Sequence, residues 1–149
     1  ICAGPKAILN IPATLEYLET LGVPVIGYRC NMMPAFWSQS ADLRVDYRLN
    51  SATEIAELCI KKWQAGLNGG VLVANPVPQD VQIDPEKIEA AIKAALSLAD
   101  KKSISGKALT PFLLEQIRQI TDGASMHANE ALVRNNALLA ADIAVAMSG

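Results

Sequence analysis

The 149-residue sequence predicts an α/β fold, a three-layer α/β/α arrangement in which helices cover both faces of a mixed or parallel sheet. Short apolar runs that stop at glycine, proline or asparagine alternate with longer segments whose apolar residues recur at helical spacing. The first 28 residues already contain a strand end, a glycine turn, a helix and a second strand, which together make a βαβ unit.

The unit begins with Ile1–Ala3, which we expect to be the end of a buried strand. A tight turn at Gly4-Pro5 follows, and Lys6 then heads an apolar run. Open α/β sheets bind their ligands at the carboxyl ends of their strands. The sequence therefore predicts that Lys6 lies at the ligand-binding edge.

A helix completes the unit and leads into the second strand. Pro12 suits its first turn, where the missing N–H costs nothing, and Gly22 ends it. The second strand is Pro24–Tyr28. The helix positions predicted to face the core are Leu15, Leu18 and Leu21.

Two more strands and a helix follow. Val45–Leu49 alternates as a strand does, and the apolar run after Gly69-Gly70 stops at Asn75-Pro76, which brings a further strand end to the ligand edge. Ser51 and Glu54 form a capping-box pattern for a helix reaching about Gln64. Its predicted inner face comprises Ile55, Leu58 and Trp63.

The second half of the chain is predicted to be helical. Asp84-Pro85 caps a helix to about Lys101, and a polar turn covers 104–109. Thr110-Pro111, as N-cap and first residue, begins a helix to about Thr121. The last helix covers about 125–147.

The loop Arg29–Ser40 is unusually rich in large apolar residues, namely Met32, Met33, Pro34, Phe36 and Trp37. Such a cluster indicates a lid, a subunit contact or a pocket wall. Ordinary packing explains it equally well. Both interpretations stay open at this point.

Composition excludes several classes of protein. The chain is 51% hydrophobic and 19% charged with a net charge of −2, which is typical of a globular domain and argues against a nucleic-acid polymer as partner. Three irregularly spaced cysteines (Cys2, Cys30 and Cys59) indicate neither a disulfide framework nor a metal site, so we expect a reducing, cytoplasmic location. The sequence lacks an apolar run long enough for a membrane span.

Lys6 is the candidate catalytic residue. A lysine amine in apolar surroundings loses hydration of its charged form, which favours the free amine. A free amine can form an imine with a carbonyl carbon, and the imine then acts as an electron sink. Gly4 before Lys6, and Ala7, Ile8 and Leu9 after it, supply such surroundings.

The residues around Lys6 carry a family resemblance. The segments Cys2-Ala3-Gly4-x-Lys6-x-Ile8-Leu9 and Ile11-Pro12-x-Thr14-Leu15-Glu16-Tyr17-Leu18-Glu19-Thr20 resemble the pseudouridine-5'-phosphate glycosidases, also called indigoidine-synthase-A-like proteins. Further matching motifs follow in order: Pro34-Ala35-Phe36, Tyr47-Arg48, Ala74-Asn75-Pro76, Gly106-Lys107, Thr110-Pro111-Phe112-Leu113 and Asn129-x-Ala131-Leu132-Val133-x-Asn135-Asn136-Ala137. The resemblance covers nearly the whole chain but only the C-terminal half of the family.

The resemblance implies an activity. In this family the lysine matching Lys6 is the covalent nucleophile, and the substrate joins ribose 5-phosphate to uracil through a carbon–carbon bond. The sugar ring opens, the lysine forms an imine at the former anomeric carbon, and uracil leaves. Asn129 matches a substrate-binding asparagine, although an inter-helix hydrogen bond would also explain it. The resemblance also implies a manganese ion and a homotrimer.

Residues 1–149 are accordingly expected to be the C-terminal portion of one domain. The sequence begins inside a predicted strand, so we expect it to be a piece of a longer protein. The acid, a second lysine and the manganese-binding aspartate that the family implies would lie in the missing N-terminal half. The piece alone is therefore expected to be inactive.

Other polar residues were weighed as site candidates. Asn75 suits a pocket or a plain turn, whereas Asn135-Asn136 suits helix packing or an N–H/C=O clamp at an interface, which favours a structural role. His127 lacks partners at metal-ligand spacing, so no metal site is predicted from this chain. The cations considered for a phosphate, none favoured by spacing, are Arg48, Lys107 and Arg134.

The chain departs from the family pattern at Asn10, usually aspartate, and at Cys30–Met33, usually threonine, two acids and phenylalanine. These departures put substrate preference and loop closure in question. Two alternative functions therefore stay open: another Schiff-base lyase acting on a sugar phosphate, and a non-catalytic truncated module.

Overall fold

The computed structural model describes residues 1–6, 9–38 and 40–149. The elements in chain order are α1 (Ile11–Thr20), β1 (Val25–Tyr28), β2 (Tyr47–Leu49), α2 (Ala52–Gln64), β3 (Leu72–Ala74), α3 (Pro85–Lys101), a short 3-10 turn (Gly106–Ala108), α4 (Leu109–Ile120) and α5 (Ala124–Ser148). Among the described residues, no helix is long and apolar enough to cross a membrane.

The sheet that these strands form is parallel throughout its described part. Its strand order is β2-β1-β3, with Ile26 of β1 opposite Tyr47 on one side and Val73 on the other. Cys2 extends it by one parallel bridge: its N–H donates to the Val73 carbonyl at 2.9 Å, and its carbonyl accepts from Asn75 N–H at 2.8 Å. Residues 3–6 therefore leave the sheet at its carboxyl edge, as predicted for Lys6.

The first predicted strand is shorter and less buried than expected. Only Cys2 pairs with the sheet within Ile1–Ala3, and Ile1 is 43% exposed while Ala3 is buried. The prediction of a strand buried from its first residue was wrong for this chain. A single bridge nevertheless fixes the direction in which the chain enters the Gly4 turn.

Helices cover both faces of the sheet, which confirms the three-layer prediction. Val25 and Ala74 pack on one face with residues of α1. On the opposite face, Ile26 and Val73 pack against α2 and α5. This division follows from the alternation of side chains along each strand.

A second hydrophobic core lies beyond the sheet, where α3 and α4 meet the start of α5. Trp37 is buried in it at 2% exposure, beside Ile88, Leu113, Ile117 and Ala128. The loop between β1 and β2 thus reaches into a core formed by helices far along the chain. For Met33 and Trp37, both buried, the packing interpretation of this loop is correct.

Local capping explains several helix boundaries. The Ser51–Glu54 capping box is present in full, and Asp84 accepts hydrogen bonds from the N–H groups of Glu86 and Lys87. The predicted start of this helix, with Thr110 as N-cap and Pro111 as first residue, was wrong by two residues, because α4 begins at Leu109 and has no side-chain cap. Proline is tolerated at this position because the first-turn N–H groups need no intrahelical acceptor.

Two predicted core positions lie at the surface. Leu21 is 57% exposed because it follows the last residue of α1, and Trp63 is 41% exposed at the end of α2. The Trp63 indole instead donates to the Gly69 carbonyl at 3.3 Å, while Cys59 takes the buried position. Helical spacing alone therefore overestimated how far the core extends along each helix.

Gly4 provides a direct test of the packing at the sheet edge. Its φ is +89°, and an added Cβ would overlap the Pro34 carbonyl oxygen. We expect Gly4→Ala to lower the free energy of unfolding by about 3 kcal/mol or more, from strain plus the steric clash. Urea denaturation of the purified protein measures this loss.

Gly22→Ala is the matched control, since Gly22 also has positive φ (+64°) but has nothing within 4 Å of an added Cβ. Its cost should be about 1 kcal/mol, from backbone strain alone. Equal losses in the two variants would show that the contact with Pro34 does not constrain the turn.

Candidate active site

The two site residues predicted from sequence, Lys6 and Asn129, line one cavity of about 370 Å³. We call this cavity the Lys6 cleft. It lies between the turn after Cys2, the loop between β1 and β2, and the ends of α4 and α5 that face each other. Its lining residues are Lys6, Phe36, Trp37, Pro111, Leu114, Glu115, Arg118, Ser125, Met126 and Asn129.

Lys6 is half-buried, and its carbonyl accepts a hydrogen bond from Leu9 N–H at 2.8 Å. Within the described part of the chain, its side chain has no hydrogen-bond or ion-pair partner, whereas three other cations form ion pairs. Ala7 and Ile8, part of the predicted apolar surroundings, lie outside the described residues. An amine without a partner is available to a ligand.

The apolar wall of the cleft comes from elements distant in sequence. Phe36 and Trp37 supply aromatic rings, while Leu114 and Met126 add aliphatic surface from α4 and α5. For Phe36, the pocket-wall interpretation of the loop is therefore correct.

The polar side of the cleft includes a cluster on α4 that the sequence analysis missed. Arg118 binds Glu115 through two hydrogen bonds, 2.9 Å from Nε and 2.7 Å from an NH₂ group, and Gln119 donates to the same carboxylate at 2.7 Å. Arg118, then Gln119, lower the pKa of Glu115 to about 2. Glu115 is therefore a carboxylate at neutral pH, and Arg118 retains N–H groups for a ligand.

A signal for this cluster existed in the sequence. Pro111, Leu114, Glu115 and Arg118 follow helical spacing and so share one face of α4. Sequence reasoning considered Arg48, Lys107 and Arg134 instead, and none of these three lines the Lys6 cleft.

Asn129 lies on α5, one turn after Ser125. Its side chain is exposed toward the cleft, and no hydrogen-bond partner for it is found among the described residues. The alternative explanation of Asn129, an inter-helix hydrogen bond, is therefore not found in the described part of the chain.

Asn75, Asn135 and Asn136 form a structural clamp between β3 and α5. The buried Asn75 amide donates to Asn136 Oδ1 at 3.1 Å, and Asn135 Nδ2 donates to the Pro76 carbonyl at 3.2 Å. A buried amide needs such partners, since an unpaired one costs about 1–3 kcal/mol. The structural interpretation of Asn135-Asn136 is thus correct, in its hydrogen-bonded clamp form.

The donor groups in this part of the protein do not fit a manganese centre. Across residues 1–6, 9–38 and 40–149, no three His, Cys, Asp or Glu side chains lie close enough together to hold a metal ion. His127 is exposed on α5, and the Glu115 carboxylate already accepts from Arg118 and Gln119.

The departures from the family pattern lie outside the Lys6 cleft. Asn10 is the N-cap of α1, and its Oδ1 accepts from Ala13 N–H at 3.0 Å, a role that aspartate performs equally well. Met32 pairs with Arg44 in an antiparallel bridge. Burial raises the pKa of the Cys30 thiol, which lines a separate cavity of about 510 Å³ beside Asn75.

The fold and the cleft define an α/β protein with a lysine at the carboxyl edge of its sheet, whose side chain has no partner among the described residues. A family model described as indigoidine synthase A like protein matches residues 1–146. The chain belongs to this family, as the resemblance of its motifs predicted.

Curated relatives are about half identical to this chain over the aligned residues. The pseudouridine-5'-phosphate glycosidase of Geobacillus kaustophilus is 54% identical over 148 residues, which are 99% of this chain and 49% of the relative. That of Caldanaerobacter subterraneus is 52% identical, over 99% of this chain and 48% of its own length. The chain thus spans about half the length of the curated relatives it matches.

Solved structures agree with the fold. The prealnumycin C-glycosynthase AlnA, in complex with ribulose 5-phosphate, superposes with a TM-score of 0.88 at 34% identity, over 98% of this chain and 48% of AlnA. An indigoidine synthase A-like protein from Thermotoga maritima gives a TM-score of 0.84 at 35% identity, over 96% of this chain and 47% of its own.

The Glu115 carboxylate should titrate at a pH well below that of an ordinary glutamate side chain. We expect a midpoint of about 2 by ¹³C NMR. Arg118→Met should raise it toward the ordinary value of about 4.3, because the strongest hydrogen bonds are lost. Since the folded-state pKa lies below the unfolded one, the cluster stabilises the fold fully above the ordinary value and loses this effect as pH falls toward 2.

Lys93→Met serves as control, because Lys93 forms a similar exposed pair with Glu89 on α3. It should leave the Glu115 midpoint unchanged. A midpoint near 4.3 in the unsubstituted protein would contradict the bidentate pair.

Proposed function

We propose that this chain is the lysine-bearing portion of a pseudouridine-5'-phosphate glycosidase, which converts pseudouridine 5'-phosphate and water into uracil and ribose 5-phosphate. The observation that carries the proposal is the Lys6 amine, which has no partner among the described residues and lies in one cleft with Asn129. It occurs in a chain 54% identical, over nearly its full length, to a protein of that name.

The carbon–carbon bond explains why a lysine is needed. Two carboxylates suffice to protonate a leaving oxygen, but here the leaving atom is carbon. As the sugar ring opens, the bond between the anomeric carbon and the ring oxygen breaks and the oxygen takes a proton, while Lys6 Nζ bonds to that carbon and loses a proton. The carbon–carbon bond then breaks: its electron pair stays with the uracil carbon, which takes a proton, and the nitrogen lone pair forms the imine. Water releases ribose 5-phosphate and restores the amine.

Residues of the cleft assist this chemistry in our proposal. Phe36, Leu114 and Met126 give the cleft an apolar wall beside the Lys6 amine. Asn129, exposed to the same cavity, donates its amide N–H groups to oxygens of the sugar phosphate.

The curated relatives are longer than this chain, which supports an N-terminal half that would hold the remaining parts of the enzyme. We propose that residues 1–149 form the C-terminal portion of one domain, and that the general acid, the second substrate lysine and the manganese ligand come from upstream. The working protein is proposed to be a cytoplasmic homotrimer, as the family resemblance implies.

A second candidate is a related Schiff-base enzyme acting on a different sugar phosphate. The structural match to a C-glycosynthase in complex with ribulose 5-phosphate favours it, because that protein is named for forming a C-glycoside. Release of uracil from pseudouridine 5'-phosphate distinguishes the two candidates, since only the glycosidase produces it.

The imine on Lys6 can be trapped. With the N-terminal half of a relative supplied, borohydride and ribose 5-phosphate should leave a reduced sugar-phosphate adduct on Lys6, located by mass spectrometry of peptides. Lys6→Ala and Lys6→Arg should both abolish it, because neither side chain has an amine able to form an imine.

The control for this experiment is Lys107→Ala, which removes a solvent-exposed lysine outside the cleft. It should leave the adduct intact. A folded, reconstituted protein without any adduct would favour the third hypothesis, a non-catalytic module kept for assembly.

Asn129 should act on substrate binding. Asn129→Asp keeps the side-chain size but replaces two N–H donors with a negative charge facing an anionic substrate. We expect KM for pseudouridine 5'-phosphate to rise about tenfold or more, since a hydrogen bond to a charged group contributes about 1.5–3 kcal/mol.

Steady-state kinetics of the reconstituted enzyme measure this, with Asn31→Asp as control because Asn31 is exposed and lies outside the cleft. An unchanged KM in Asn129→Asp would remove Asn129 from the substrate-binding residues.

A further inference from the structure

Phe36 has a backbone conformation that a bulky residue rarely adopts. Its φ is +64°, in the left-handed region where a side chain meets the following carbonyl oxygen. Such strain costs about 1–3 kcal/mol and persists only where surrounding contacts enforce it, commonly at ligand sites. The conformation of Phe36 therefore points to a functional role for this residue.

Hydrogen bonds from Phe36 and Trp37 hold the loop in this conformation. Phe36 N–H donates to the Ala3 carbonyl at 3.1 Å, which ties the loop to the turn that carries Lys6. On its other side, Trp37 Nε1–H donates to the buried Ser125 carbonyl at 3.1 Å, and Trp37 N–H donates to the Ala35 carbonyl at 2.8 Å. The Phe36 ring is thereby held between the lysine turn and the start of α5.

Of the two aromatic residues in the cleft, Phe36 is the one able to meet a ligand. Trp37 is only 2% exposed, whereas Phe36 is half-buried. The rings meet edge to face, with centroids 5.1 Å apart and planes at 70°. Trp37 therefore supports the Phe36 ring, which shares the cavity with the Lys6 amine.

We propose that Phe36 is the specificity-determining residue that stacks on the flat, uncharged base of the substrate. This inference rests on the proposed function and extends it to the leaving group. A ring held rigidly beside the nucleophile loses little conformational entropy on binding, and aromatic stacking suits any planar base. Stacking would hold the carbon–carbon bond next to Lys6 Nζ.

Substrates with and without a base test the proposal on the reconstituted enzyme. Phe36→Leu should raise KM for pseudouridine 5'-phosphate about tenfold, the scale of one base–aromatic stack. Borohydride trapping of ribose 5-phosphate, which has no base, should remain unchanged. Phe36→Tyr keeps an aromatic ring, so its KM should stay close to that of the unsubstituted enzyme.

Two further variants keep the test decisive. Phe36→Gly adopts a φ of +64° without strain and removes the ring, so it supplies a folded ring-free protein if Phe36→Leu misfolds. Phe112→Leu makes the same change at a half-buried residue of the same core outside the cleft, and it should alter neither KM nor trapping.

Each outcome decides the proposal. A selective rise in KM with unchanged trapping supports base stacking. An unchanged KM in folded Phe36→Leu or Phe36→Gly overturns it, as does a parallel loss of trapping, which would mean that the ring positions Lys6. Absence of any adduct in the unsubstituted enzyme overturns the proposed function itself and this inference with it.

Discussion

The close approach of Gly4 to Pro34 is the constraint on which the site depends. A Cβ at position 4 would overlap the Pro34 carbonyl oxygen. The positive φ of Gly4 lies at the point where the chain leaves the sheet. The hydrogen bond from Phe36 to the Ala3 carbonyl completes this junction. Because Lys6 and Phe36 leave the junction on its two segments, the Lys6 amine and the Phe36 ring line one cleft.

The junction also explains why the Lys6 cleft lies where it does. One core packs around the sheet, and the other packs α3 and α4 around Trp37. The cleft opens between them, so the sheet side contributes Lys6 while α4 contributes Arg118 and Glu115. Lys6 is supported by the core around the sheet, whereas Arg118 and Glu115 are supported by the core around Trp37. Packing from both cores allows Phe36 to keep its strained backbone conformation between them.

Features fixed by local chemistry could be predicted from the sequence. The capping box at Ser51 and the Asp84 cap depend on neighbouring residues alone, and both helices begin as predicted. Lys6 and Asn129 were identified by resemblance, and the structure brings them to one cavity. The side of α4 that meets the cleft depends on tertiary packing, so Arg118 was missed. The positive φ of Phe36 has no signal in its residue type.

The asparagine clamp gives Lys6 and Asn129 a common anchor. Val73 and Asn75 hold Cys2 by backbone hydrogen bonds, while Asn75 and Pro76 hold α5 through Asn136 and Asn135. The same strand end therefore fixes both the turn bearing the amine and the helix bearing the amide. Amine and amide thus share one anchor at the end of β3, whereas α3 and α4 pack in the separate core around Trp37.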